Sequence, residues 1–220
     1  GQVAFPASAA QLNVRPHQTR MALAPGEQET PSGVSPWRLA TLLIPTLVLA
    51  WLWNTRFPPV REYKLYFTES RKSAELPWDQ ISETWSEAEV SRHFESYPVR
   101  CEPDYTGIPQ ITRICTVDVK SFNGAPALYV SFMFAGSTLH RVATMVPWWS
   151  HAAGFAALQS SYGPPRATQH KWRSGVRLHG WRLPSGAAIF YNRDRPFNPL
   201  EPNSAQWVGP TACSQTSCMQ

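Results

Sequence analysis

Residues 85–98 read WSEAEVSRHFESYP, and they are the most legible stretch of the chain. Ser86, three residues ahead of Glu89, makes a capping box, in which a side-chain oxygen takes an orphan N–H and a carboxylate answers from the next turn. Trp85 and Val90 occupy the N′ and N4 positions of a hydrophobic staple. Val90, His93, Phe94 and Tyr97 recur at helical spacing, and Pro98 forbids another turn. A shorter turn over Pro77 to Thr84 precedes it, with Trp78 and Ile81 on one side.

Strand signals follow. Ile111 to Val119 is rich in β-branched residues. Asn123-Gly124 is a two-residue hairpin signal, after which Leu128, Val130, Phe132 and Phe134 alternate down one face. Ala135-Gly136-Ser137 turns the chain into Thr138 to Val146. The pattern then recurs: Trp149-Ser150 opens a helix with Phe155, Leu158 and Tyr162 on one face, and Gly163 with Pro164-Pro165 stops it. Strands are expected over Val176 to Leu183 and Ala187 to Asn192, joined at Ser185-Gly186, with a last one near Gln206 to Val208. The expectation is an α+β domain over residues 77–210 made of two helix-plus-antiparallel-meander units, with a short tail over 211–220.

WSEAEVSRHFESYP resembles the opening helix of the small periplasmic lipoprotein of the outer-membrane β-barrel assembly machine, and FAALQSSYGPP (residues 155–165) is similar to the end of a second copy. The resemblance implies a non-catalytic extracytoplasmic binding module. The chain departs from that pattern in having no lipidated cysteine after an apolar signal.

Upstream, Leu39 to Trp53 reads LATLLIPTLVLAWLW between Arg38 and Arg56. Fifteen residues rise about 22 Å, against about 30 Å of hydrocarbon. Trp37, Trp51, Trp53 and the long flanking arginines suit the headgroup zones. Residues 37–54 are therefore expected to be a single transmembrane anchor in contact with lipid, with residues 1–36 a disordered tail and 55–76 a juxtamembrane connector. A buried helix or a signal-peptide core would share the composition, although Asn54-Thr55-Arg56-Phe57 lacks the small residues of a cleavage site.

Four cysteines, Cys101, Cys115, Cys213 and Cys218, all follow the apolar stretch. Pairing 101 with 115 and 213 with 218 suits an oxidising compartment, hence a periplasmic or extracellular domain. Unpaired thiols or a four-thiolate zinc site are the alternatives, though only the second pair has zinc-like spacing. The flanking charges argue the other way: Arg20 and Arg38 stand before the anchor, and Arg56, Arg61, Lys64, Arg71 and Lys72 after it.

The net charge of +5 is too mild to mark a nucleic-acid binder, and no nucleic-acid partner is expected. The charge is unevenly spread. Residues 62–118 hold eleven acids against six bases, and residues 139–195 hold eight bases against Asp194 alone. The basic segment offers Arg173, Arg177 and Arg182 as contacts for an anionic surface ligand. Adjacent Trp148 and Trp149 cannot both face a core and are candidate contacts for a protein partner, with packing between layers as the bland alternative.

No catalytic residue, cofactor or metal site is expected. None of the six histidines has the i, i+4 spacing of a metal pair. No Gly-x-Ser-x-Gly elbow surrounds Ser160 or Ser161, and no phosphate loop is present. Asp79, Glu83, Glu87 and Glu89 read as caps and solubility. The alternatives to a binding or assembly module are an accessory subunit of a larger membrane complex and a membrane-tethered thiol or hydrolytic enzyme.

Overall fold

The computed structural model describes residues 36–54, 58–104, 107–168, 177–216 and 218. The tail expected over 1–36 lies outside them except for Pro36. The chain divides at Pro45/Thr46 into two units, and helix α1 (Pro36–Asn54) runs across that division. Apart from α1, everything described below belongs to the second unit.

The capping box forms as read. The Ser86 hydroxyl accepts from the Glu89 N–H and the Glu89 carboxylate accepts from the Ser86 N–H, at 3.3 and 2.7 Å. Together they start α3 (Glu87–His93). The staple residues Trp85 and Val90 are both buried, and Trp85 stacks on His93 with ring centroids 4.3 Å apart. The second helix, α4 (His151–Tyr162), ends at Gly163, whose φ of +75° suits a residue without a Cβ.

Each helix is followed by four strands of one eight-stranded antiparallel sheet. The first set is β2 (Val99–Pro103), β3 (Arg113–Asp118), β6 (Tyr129–Ala135) and β7 (Thr138–Val146). The second is β8 (Arg166–Thr168), β9 (Leu178–Arg182), β10 (Ala188–Asn192) and β11 (Asn203–Val208). Their order is β2-β3-β6-β7-β11-β10-β9-β8, so the two meanders meet through their last strands. The Asn203↔Val146 to Val208↔Arg141 pairing satisfies the open edge that each meander would otherwise expose. A small separate sheet joins β1 (Ser73–Ala74), parallel, to the hairpin β4–β5 (Ser121–Phe122 and Ala125–Pro126). At its tip Asn123 and Gly124 take φ of +49° and +76°, the positive pair that a type I′ turn demands.

Alternation along the strands builds two faces. Val130, Phe132, Phe134, Val142, Ile189, Tyr191, Ala205 and Trp207 join Val90, Phe94 and Leu158 from α3 and α4 in the main core. The opposite face is covered at one end by α2 (Pro58–Thr68), whose Tyr63 and Tyr66 pack on Leu128, and at the other by α5 (Pro210–Thr216) over Ala188, Phe190 and Val208.

Several expectations are corrected here. The connector contains α2, started by Pro58-Pro59 where a missing N–H costs nothing and held because its two tyrosines leave water. The C-terminal tail contains α5. The first meander has four strands, because Val99–Pro103, where no strand was expected, pairs with β3. Leu128 leaves the Val130 face: its N–H bonds to Met145 O ahead of the strand, turning its side chain toward α2.

The expectation of a membrane-spanning helix over 37–54 is not met. Residues 36–54 are helical, but among the described residues no helix is long and apolar enough to cross a membrane.

Between α2 and the sheet lies a charged cluster. Arg100 grips Asp118 with two bonds of 2.7 and 3.2 Å, and Glu62 stands near. Burial, reinforced by the Asp118 charge, holds the Glu62 carboxyl above its ordinary value against the opposing arginines. A raised carboxyl binds protons more readily folded than unfolded, so its ionisation weakens the fold as pH rises through and above about 4.5. Glu62→Gln should therefore raise the melting temperature at pH 7 and leave it unchanged well below pH 4.5. Thermal melts of both proteins across that range measure it, and an equal shift at every pH would reject the charge argument.

Candidate functional site

β7 ends at Val146, and Pro147 turns the chain into a 3₁₀ turn, Trp148–Ser150, ahead of α4. Within it the two tryptophans diverge, as neighbours on a tight turn must. Trp148 is half-buried: its indole Nε1 donates to Pro196 O at 2.6 Å, and the Arg195 guanidinium lies 4.1 Å over its ring. Trp149 is 48 % exposed and lies against α2, stacked on Phe67 at 5.4 Å and tilted on Tyr63 at 5.3 Å. Phe67 is itself exposed, so the pair forms an aromatic corner open to solvent.

Two of the three basic candidates lie among the described residues. Arg173 lies outside the described residues. Arg177 is ion-paired with Asp194 at 2.7 Å, both side chains being exposed. Arg182 is exposed at the far end of β9. Arg195, which does reach an aromatic candidate, carried no signal in the sequence beyond its charge.

All four cysteines are paired, 101 with 115 and 213 with 218. Cys101 and Cys115 face each other directly across β2 and β3. Glu87 lies beside them, the one grouping of metal-ligating side chains among the described residues, but sulfurs joined to each other offer no thiolate to an ion. Of the four described histidines, His93, His151 and His179 each pack on an aromatic ring, and His140 keeps a buried Nδ1 without a hydrogen-bond partner among the described residues.

Sequence reading missed a cavity of about 460 Å³ between α4, the Trp78 turn, the β4–β5 hairpin and the core face of the sheet. Its walls include Trp78, Phe122, Val146, Leu158, Tyr162 and Tyr191. Several polar contacts hold it open. Asn123 spans the Leu76 backbone, accepting from N–H at 2.6 Å and donating to C=O at 2.7 Å. The Tyr162 hydroxyl accepts from the Trp78 N–H at 3.0 Å and donates to Asp79 Oδ1 at 3.2 Å. Tyr191 donates to His151 O at 2.8 Å, and Gly154 leaves it room, since a Cβ there would sit 2.6 Å from the hydroxyl oxygen. Burial pushes both tyrosine hydroxyls up from their ordinary values, so they remain neutral donors. Gly154 inside an apolar helix was the one local hint of a close approach.

The chain matches no protein-family model, no curated protein and no solved structure.

Proposed function

We propose that this protein is a membrane-anchored, non-catalytic binding module, held in lipid by α1 with its two-unit domain outside the cytoplasm. The observation that carries the reading is the surface of α1. Leu43, Ile44, Leu47, Val48, Leu49 and Trp51 are all exposed, between 48 and 67 %. Residues 43–51 are exposed without interruption, so exposure runs all round the helix over more than two turns; five of the six large apolar side chains share an arc of about 140° and Leu49 lies opposite them. Such a helix is favoured only where apolar material surrounds it, whereas an amphipathic helix can lie on a surface.

The short apolar run is met by local thinning of the bilayer, at a modest cost. The paired cysteines support an oxidising compartment for the domain. A second reading, an accessory subunit of a larger membrane complex, draws on the exposed Trp149–Phe67 corner, since exposed aromatics are favoured anchors at protein interfaces.

Fractionation tests the anchoring. The full chain expressed in a bacterium should sediment with membranes and resist alkaline carbonate, and a chain lacking residues 36–54 should move to the soluble fraction. Recovery of the full chain in the soluble fraction without detergent overturns the proposal.

A further inference from the structure

From the cavity beneath α4 we infer a binding site for a small aromatic amine, its ring among the apolar walls and its ammonium at the mouth. The inference rests on reading the domain as a binding module, and not on the anchoring of α1.

A volume of about 460 Å³ falls in the range of small-molecule pockets, and its walls are mainly aromatic and aliphatic. The polar groups differ between depth and mouth. In the wall, Thr144 is 3 % exposed and its Oγ1 has no hydrogen-bond partner among the described residues. Such a hydroxyl is costly in an apolar core unless something satisfies it, and a ligand's own polar atom can do so. Its neighbours across the sheet, Val130 and Ala205, provide none.

At the mouth, Glu75 and Asp79 line the cavity and are exposed. Neither has an ion-pair partner among the described residues, and no lysine, arginine or histidine lines the site. Two uncompensated carboxylates beside aromatic faces favour a cation and repel an anion of the same shape. The ring of Trp78, buried next to Asp79, is placed to bridge the apolar and charged parts.

Tyramine and 3-(4-hydroxyphenyl)propionate share a phenol ring and differ in the sign of the head, so they serve as probes. Equilibrium dialysis would use the full chain in phosphatidylcholine nanodiscs, with empty nanodiscs as the blank. Tyramine should bind saturably, one per chain, at least about fivefold tighter than the propionate. The double variant Glu75→Gln with Asp79→Asn should bring the two within about twofold. Ala157→Phe, which fills the cavity from α4, and Ser161→Trp, which obstructs it from an exposed position, should each abolish tyramine binding.

Tyramine uptake no greater than the blank, or undiminished in both filled variants, overturns the site. Equal affinity for the two probes overturns the ligand class. Membrane fractionation is scored separately, so a chain that sediments with membranes but binds neither probe refutes the cavity and leaves the anchor standing.

Discussion

Replacing Trp207 by alanine should lower the unfolding free energy by about 3–5 kcal/mol, the largest loss expected from any single side chain here. Trp207 is fully buried on β11, paired with Val142 of β7 on one side and Ile189 of β10 on the other. It therefore packs where the two meanders join, and the void left by truncation opens at the seam rather than at a margin that could collapse. A domain of this size should lose roughly 2–4 °C of melting temperature per kcal/mol, which puts the variant at least about 6 °C below the wild type. Trp207→Phe should cost much less. The indole Nε1 has no partner among the described residues, so phenylalanine removes an unsatisfied donor while keeping most of the ring. Calorimetry of both variants distinguishes these outcomes, and equal losses would show that the indole itself, and not the retained volume, matters at the seam.

Breaking the Cys101–Cys115 bridge should be the second large effect. The loop it closes has 15 residues, which in the chain-entropy account is worth about 3 kcal/mol. Its position adds a reason. β2 is the outermost strand of the first meander, pairing with β3 alone, so the bridge ties an edge to the core at a directly opposed pair. Cys101→Ala with Cys115→Ala should move the urea midpoint down by about 1 M or more for a slope of 1–3 kcal/mol per M. The Cys213→Ala and Cys218→Ala pair, closing a six-residue loop, should cost about 2 kcal/mol on the same account. Reductant should reproduce both effects in the wild type, and an unaltered midpoint under reduction would mean that neither bridge contributes to stability.

How much of this was legible in the chain depends on the range of the chemistry. The limits of α3 and α4 were readable because a capping box, a staple and a Gly-Pro stop act within a few residues. The Asn123-Gly124 turn was readable for the same reason, since few residue pairs tolerate two positive φ values in succession. By contrast β2 and β8 were missed. They are short edge strands with little alternation, and only the neighbouring strand makes them strands. α2 was missed because its two prolines and mixed polarity read as a connector, while the two buried tyrosines that hold it find their surface some sixty residues downstream.

The candidate sites divide in the same way. Adjacent tryptophans announced that one must face outward, and Trp149 does. The arginines of one charge run looked like a set, but Arg177 is engaged by Asp194 while Arg182 stands exposed at the end of β9. The cavity could not be foreseen, because its walls come from seven separated segments and no local pattern records their convergence.

By itself the amino-acid order determined α3 and α4, their caps and stops, and the Asn123-Gly124 turn, because each depends on backbone and side-chain preferences acting over a few residues. Only the tertiary structure decided that the meanders meet through their last strands, that α2 and α5 cover the second face, and that a cavity opens beneath α4. Those outcomes depend on which edges and apolar faces remain unsatisfied after the local elements form, and that is settled by long-range pairing and packing.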